Sequence, residues 1–541
     1  MNVAEAVGAT LARCGVDTVF GVVGSGNFHS TNAMVAAGAR YVAARHEGGA
    51  ATMADAYART SGAVSALSLH QGCGLTNALT GITEAAKSRT PLVVLTAEAT
   101  STRSNFAVDQ AGLAAAVGAL SMRVTVPEDA AGTAAAAVAT ARDERRVVVL
   151  NLPLDVQGQE AGNATPPPWA PRPVPPPDPA QVERLADALR RARRPVFVAG
   201  RGARAARGEL EALADRCGAL LATSAVAKGL FRGSPWDLDV SGGFATPLAA
   251  ELISGADLIV GWGCQLNMWT MRHGRLIAGN AVVVQVDLEA EALGAQRPIT
   301  FGVCGDVTAV AGAVTAAWGD EATGYRTPEM RRAIAQRGRW RDESLDAEAA
   351  GDLVDPRALT IALDDLLPAE RLVAVDSGNF MGYPSMFLDV PDEQGFCFTQ
   401  AFQSVGLGLA TAIGAALARP DRLPVAALGD GGALMGASEL ETVVRLGLPM
   451  LVVVYDDAAY GAEVHHFGPG GHPLDAVRFP ETDFAAIARG YGFGAVTARR
   501  VDDLDAVAAW LAGPRSTPLL VDAKITRDQP SWWLEEAFRG H

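Results

Sequence analysis

The chain has 541 residues, 45 of them Lys or Arg and 60 Asp or Glu, a formal charge of −15 that excludes nucleic acid and anionic membrane as main partners. An apolar content of 49% with 58 glycines excludes a disordered chain. The cysteines (Cys14, Cys73, Cys217, Cys264, Cys304, Cys397) are scattered without a CxxC pair, the opening MNVAEAVGATLARCG lacks a basic-then-apolar leader, and no uncharged apolar run approaches the ~20 residues of a membrane span, so the expectation is a soluble cytoplasmic protein with buried thiols.

In chain order, short Val/Ile/Leu runs alternate with alanine-rich helical stretches. Residues 17–23, 63–69, 92–96 and 147–150 read as strands of a first block, 1–164, with a further strand ending near Ala43 before a helix opened by Glu47. The run TPPPWAPRPVPPPDPA, residues 165–180, can be neither helix interior nor central strand and reads as an extended connector. A second block, 181–320, places strands at 195–199, 258–262 and 281–286. An Arg-rich charged stretch, 321–351, reads as a second linker containing a helix. The third block, 352–541, places strands at 372–375, 425–428, 450–455 and 519–521. This alternation predicts an α/β fold of parallel sheets covered by helices on both faces. The first and third blocks are similar in size and style, as two related domains flanking a different one would be.

The segment ALGDGGALMGASELETVVRLGLPMLVVVYDDAAYG carries two acidic turns. The first is Gly429-Asp430-Gly431-Gly432, at the end of one apolar run; the second is Asp456–Asp457, at the end of the next. Between them, residues 438–446 have helical spacing and Gly447 is a stop signal. A strand–helix–strand unit of this kind is a right-handed crossover, so both turns fall on the carboxyl edge of one sheet, where open α/β sheets bind ligands.

GDGG followed by YDDAAYG, together with RHEGGAATMADAYARTSG at 45–62, resembles the thiamine-diphosphate enzymes that act on 2-oxo acids, such as acetohydroxyacid synthase, benzoylformate decarboxylase and pyruvate decarboxylase. The likeness runs through nearly the whole chain. It implies pyrimidine-binding and diphosphate-binding domains around a middle Rossmann-like domain. The family motif has GDG, some two dozen residues, then Asn-Asn; here Asp457 stands 27 residues after Asp430, and Asp456–Asp457 replaces Asn-Asn. Magnesium takes six hard oxygens and shares them with phosphates. The resemblance assigns the protein share to Asp430, Asp457 and the carbonyl of Ala459. Gly429, Gly431, Gly432 and Tyr460 fall on the cofactor side, with the two glycines letting backbone N–H groups approach the diphosphate. Gly378, Asn379 and Phe380, in VDSGNFMG, match a second loop near the diphosphate. Val405 stands where a bulky apolar residue bends the cofactor.

By the same resemblance Glu47 presents a buried carboxyl group to the aminopyrimidine, a proton-shuttling role that a low-dielectric setting suits. Ser25 and His70 fall where benzoylformate decarboxylase has its substrate-contacting Ser and a catalytic His. Glu463 falls where pyruvate decarboxylase has a catalytic Glu, with His466 one helical turn on. Gln110 falls close to an active-site Gln of acetohydroxyacid synthase. Trp269 occupies the position of a middle-domain His, with His273 nearby, and His465, His472 and His541 read as surface residues. The middle block lacks a full GxGxxG, and CQLNMWTMRHGR replaces the Arg-Phe-Asp-Asp-Arg run of the flavin-holding relatives, so FAD is not expected.

The implied activity is carbon–carbon bond cleavage or formation beside a 2-oxo group. Decarboxylation to an enamine would be followed by protonation, or by acetolactate-synthase-like capture of a second carbonyl compound. The alternatives are a non-catalytic cofactor-binding protein on the same scaffold and an FAD-containing acetohydroxyacid synthase. The family pairs first and third domains of different subunits, implying a homodimer or homotetramer.

Overall fold

The computed structural model describes residues 1–162, 170, 174–319, 322–344, 352–527 and 530–537. Among them, 18 strands form three sheets of six, and every pairing within the sheets is parallel. The first sheet holds β1 (Thr18–Gly21), β2 (Arg40–Ala43), β3 (Ser65–Leu69), β4 (Leu92–Glu98), β5 (Leu120–Arg123) and β6 (Val147–Pro153). The second holds β7 (Pro195–Ala199), β8 (Leu220–Thr223), β9 (Asp237–Val240), β10 (Leu258–Trp262), β11 (Val282–Asp287) and β12 (Phe301–Cys304). The third holds β13 (Arg371–Val375), β14 (Phe396–Phe398), β15 (Leu423–Gly429), β16 (Leu451–Asp456), β17 (Gly494–Ala498) and β18 (Leu519–Lys524).

The orders β2-β1-β3-β4-β6-β5 and β14-β13-β15-β16-β18-β17 are one arrangement used twice. The middle sheet, β9-β8-β7-β10-β11-β12, has the dinucleotide-fold order instead. Two related outer domains thus flank a Rossmann-like one. The strands are buried on both faces, as the continuous apolar runs require.

The outer domains are fused through a helix pair. The helix Glu47–Ser61 packs on Gly408–Ala418, and one continuous core joins Met53, Ala54 and Leu67 to Ile413, Leu428 and Val454. Small residues set the spacing: a Cβ on Gly414 would lie 2.2 Å from the carbonyl oxygen of Met53.

Half of the expected connector over 165–180 falls outside the described residues. Its end differs from expectation, because Pro179 and Ala180 already belong to the helix Pro179–Arg191, capped by Asp178. A first-turn proline loses no hydrogen bond, so the sequence can be proline-rich and helical there. In the second linker the helix is Pro328–Arg337; residues 345–351 lie outside the described residues. Cys217, Cys264 and Cys397 are buried thiols, whereas Cys73 is exposed.

Candidate active site

The carboxyl edge of the third sheet collects four loops. β15 ends at Gly429 and leads into the short helix Asp430–Met435. β16 ends at Asp456 and turns through 457–460 into the helix Gly461–Phe467. The loop after β13 carries Ser377 to Phe380, and the loop after β14 carries Val405 to Leu407.

Asp430 and Asp457 face one another electrostatically across this edge. Burial first, and then the charge of Asp456, pushes the Asp430 carboxyl up to about 6. Burial, and then Asp430, pushes Asp457 up to about 7. Asp430 accepts the adjacent Gly431 N–H (2.8 Å), and Asp457 accepts Ala459 N–H (3.2 Å). Ala459 sits between two hydrogen bonds to the strap 477–479, Tyr460 N–H to Val477 O and Phe479 N–H to Ala458 O. Its own carbonyl accepts no hydrogen bond from the described residues. Two mutually repelling carboxylates and a free carbonyl suit a hard divalent cation. Among the described residues no group of three or more His, Cys, Asp or Glu side chains could hold a metal alone, so further oxygens must come from a ligand.

Glycines here are dictated by crowding. A Cβ on Gly429 would lie 2.9 Å from the Phe380 ring, on Gly431 2.9 Å from Tyr460, and on Gly432 2.1 Å from Asp376 Oδ2. Phe380 is buried and stacks on Tyr455 with centroids 5.4 Å apart. Asn379 is turned inward, its Oδ1 accepting Ser531 N–H and its carbonyl accepting Trp533 Nε1–H. Val405 is 40% exposed, and Phe402, Leu434 and Met435 are exposed too. Glu463 and His466 lie half-buried, one turn apart, on the helix that follows Asp457.

The second cluster is on the first sheet. Glu47 opens its helix at the end of the β2 loop, half-buried in the single chain, and accepts a hydrogen bond from Asn77 (Nδ2–Oε2 3.1 Å). His70 follows β3; burial depresses its pKa and the nearby Glu47 carboxylate partly opposes this. Its Nδ1 accepts Gly26 N–H at 3.1 Å, which leaves the ring proton of the neutral form on Nε2. Ser25 lies exposed between Gly24 and Gly26. Gln110 is only 2% exposed and its amide is spent inside the protein, accepting Gly72 N–H and donating to Asn151 Oδ1. These two bonds brace the 70–74 loop from inside the domain.

Three structural partners went unread in the sequence. Asp376 is fully buried; its carboxylate collects the N–H groups of Ser377, Gly406 and Leu407 and so ties the loops after β13 and β14 together. Glu439 accepts the N–H groups of Arg45 and His46, anchoring the Glu47 helix to the third domain. Lys524 pairs with Asp456 at 2.5 Å, which gives that buried acid a cation of its own. Each acts across tens or hundreds of residues and makes no local pattern.

In the middle domain, Gly200 and Gly202 after β7 serve loop packing: a Cβ on Gly200 would lie 2.2 Å from the carbonyl oxygen of Gly263. Beside them a cavity of about 290 Å³ opens between the three domains, lined in part by Arg59, Arg201, Asp287, Trp269 and Trp533. Trp269 packs on His273 and Trp533 with centroids 6.2 Å apart. Asp430 and Asp457 do not line this cavity. No helix among the described residues is long and apolar enough to cross a membrane.

Comparison with known proteins matches all three domains to one family. Residues 1–116 match the N-terminal TPP binding domain of thiamine pyrophosphate enzymes, 182–314 the central domain and 376–523 the C-terminal TPP binding domain. A probable 2-ketoarginine decarboxylase, AruI, of Pseudomonas aeruginosa is 30% identical over 526 residues, 93% of this chain and 91% of that protein. A sulfoacetaldehyde acetyltransferase of Castellaniella defragrans is 29% identical over 536 residues, 93% of this chain and 89% of that protein. The acetolactate synthase large subunit of Parasynechococcus marenigrum is 29% identical, covering 97% and 88%. A solved Rhodococcus jostii thiamine diphosphate-dependent 4-hydroxybenzoylformate decarboxylase shares the fold, with a TM-score of 0.81 at 24% identity over 98% of this chain and 100% of that one. The chain belongs to the thiamine pyrophosphate enzymes.

Proposed function

We propose that the protein cleaves the bond between the carbonyl and carboxylate carbons of a 2-oxo acid, using thiamine diphosphate anchored by Mg²⁺ on Asp430, Asp457 and the Ala459 carbonyl. The observation that carries this reading is the free Ala459 carbonyl beside two buried carboxylates, Asp430 and Asp457, both with raised proton affinity. When held by these residues, thiamine diphosphate would supply an electron sink beside the 2-oxo group. Glu47 holds and moves a proton at the aminopyrimidine end, with Asn77 orienting its carboxyl group. His70, neutral with its proton on Nε2, donates toward the substrate side, and Glu463 with His466 closes that side from the third domain.

The fate of the acyl unit is either protonation or transfer to a second carbonyl compound. The two outer domains meet across subunits in a homodimer, possible as a pair within a homotetramer, because exposed Phe402, Val405, Leu434 and Met435 form an apolar rim at the cofactor edge. Calorimetry of Asp430→Ala tests the anchor: Mg²⁺-dependent thiamine diphosphate binding is expected to vanish, and unchanged affinity removes Asp430 from the site. Mass spectrometry of products from a panel of 2-oxo acids, with and without aldehydes including sulfoacetaldehyde, distinguishes the two fates. A panel that yields no cofactor-dependent CO2 favours a non-catalytic binding protein.

A further inference from the structure

The turn after β16 carries two aspartates, and they have been separated. Asp456 is buried and divides its carboxylate between two donors: Lys524 Nζ, 2.5 Å from Oδ2, and the N–H of Ala458, 2.9 Å from Oδ1. Lys524 stands opposite Asp456 in the β16–β18 register, is itself buried, and donates to the Thr482 carbonyl at 2.6 Å. A third charged group, Asp522, lies 2.9 Å from the same ammonium. Ala458 has φ +50°, a left-handed backbone that a residue with a Cβ holds only under constraint. The Asp456 carboxylate supplies one constraint, and Phe479 N–H, bonded to the Ala458 carbonyl, supplies the other. On either side of Ala458 stand Asp457 and Ala459, whose carboxylate and carbonyl face the cation edge.

We propose that Lys524 is a positioning residue for the metal site: it holds Asp456, Asp456 holds the left-handed turn, and the turn aims Asp457 and the Ala459 carbonyl. The inference rests on the cofactor reading above. It also accounts for an aspartate where the family motif has asparagine. An amide at 456 could hold the Ala458 N–H unaided, whereas a buried carboxylate needs a counter-cation, and Lys524 is the one in contact. Lys524 makes no contact with cofactor or substrate in this scheme and acts only through the turn.

The test uses the full-length protein with saturating thiamine diphosphate and Mn²⁺ as the probe metal, free Mn²⁺ being read by electron paramagnetic resonance. Lys524→Met is expected to weaken Mn²⁺ binding by roughly 10–100-fold, the range typical of groups that orient metal ligands. Asp456→Asn combined with Lys524→Met is expected to return most of that affinity, because the pair is then neutral and Asp522, whose proton affinity burial already raises, can neutralise itself by protonation. A general loss of packing would not be rescued this way. Should Lys524→Met fail to fold, as judged by circular dichroism, Lys524→Gln carries the comparison, since it keeps a donor for the Thr482 carbonyl and removes only the charge. Wild-type affinity in the single variant, or a double variant no tighter than the single one, overturns the inference alone. A wild-type protein that takes up no Mn²⁺ with thiamine diphosphate overturns the cofactor reading and this inference with it.

Discussion

Glu47 and His70 share one small cluster yet have different immediate partners. Glu47 is oriented by a single amide, Asn77, so Glu47→Gln keeps the shape and loses the transferable proton. The expected result is an intact fold with near-normal cofactor affinity. Exchange of the thiazolium C2 proton, followed by NMR, should slow by roughly 10²–10⁴-fold. Exchange at the wild-type rate removes Glu47 from the proton path. His70 makes a pH prediction. The unfolded imidazole binds its proton near pH 6.5, whereas burial delays protonation of the folded one to lower pH. Between those values the unfolded chain holds more protons, so the stability of the neutral ring is complete above pH 6.5 and is lost as pH falls toward the folded value. Thermal midpoints at pH 7 and pH 5 should therefore lie closer together in His70→Gln than in wild type. An unchanged gap refutes the assignment. Asp430 and Asp457 could be read from spacing because they sit in turns bounded by apolar runs. Asp376, Asn77 and Glu439 could not, because what makes them matter is the backbone or carboxylate that the fold brings to them.

At the scale of elements, most strands in sheet interiors were legible, though the short buried β8 was not, and of the edge strands only β2 was read. β4, β7, β10 and β16 are buried along their length and appear as continuous apolar runs. The edge strands β5 (LSMR) and β17 (GAVTA) are half-exposed, so their residues obey no strong burial pattern and leave only weak signals. The repeated strand order of the outer domains was legible only as a similarity of style, since order is a long-range property. The helix pair that fuses these domains gives a differential prediction. Gly414→Ala puts a methyl group against the Met53 backbone and should cost about 1–3 kcal/mol. Gly312→Ala, in the helix Val307–Ala316 where a Cβ meets nothing within 4 Å, should gain up to ~1 kcal/mol from helix propensity. Calorimetric melting of both variants checks the pair. Equal shifts would mean that close approach of the two helices is not what fixes glycine at 414.

At the scale of the molecule, the two halves of the site belong to different domains, and one cofactor must touch both. Within a chain the described contacts between the outer domains run through the Glu47–Ser61 and Gly408–Ala418 helices and through Glu439. No described hydrogen bond or ion pair joins Glu47 or His70 to Asp430 or Asp457. The cofactor edge meanwhile exposes Val405, Met435 and Tyr460, and the first domain exposes Val23, Phe28 and Phe106 near its own cluster. A two-fold axis that lays one such surface on the other creates two equal sites and covers both apolar rims. Glu47→Gln and Asp430→Ala subunits are each inactive on this scheme, for reasons located in different domains. Dissociated, mixed and reassociated, they should form hybrid dimers in which one of the two sites carries both lesions and the other carries neither. Activity should then appear where neither parent has any, approaching a quarter of wild type if pairing is random, since half the dimers are hybrids with one intact site in two. Mixed dimers verified by mass spectrometry, with activity still at parental levels, would place the whole site within one chain.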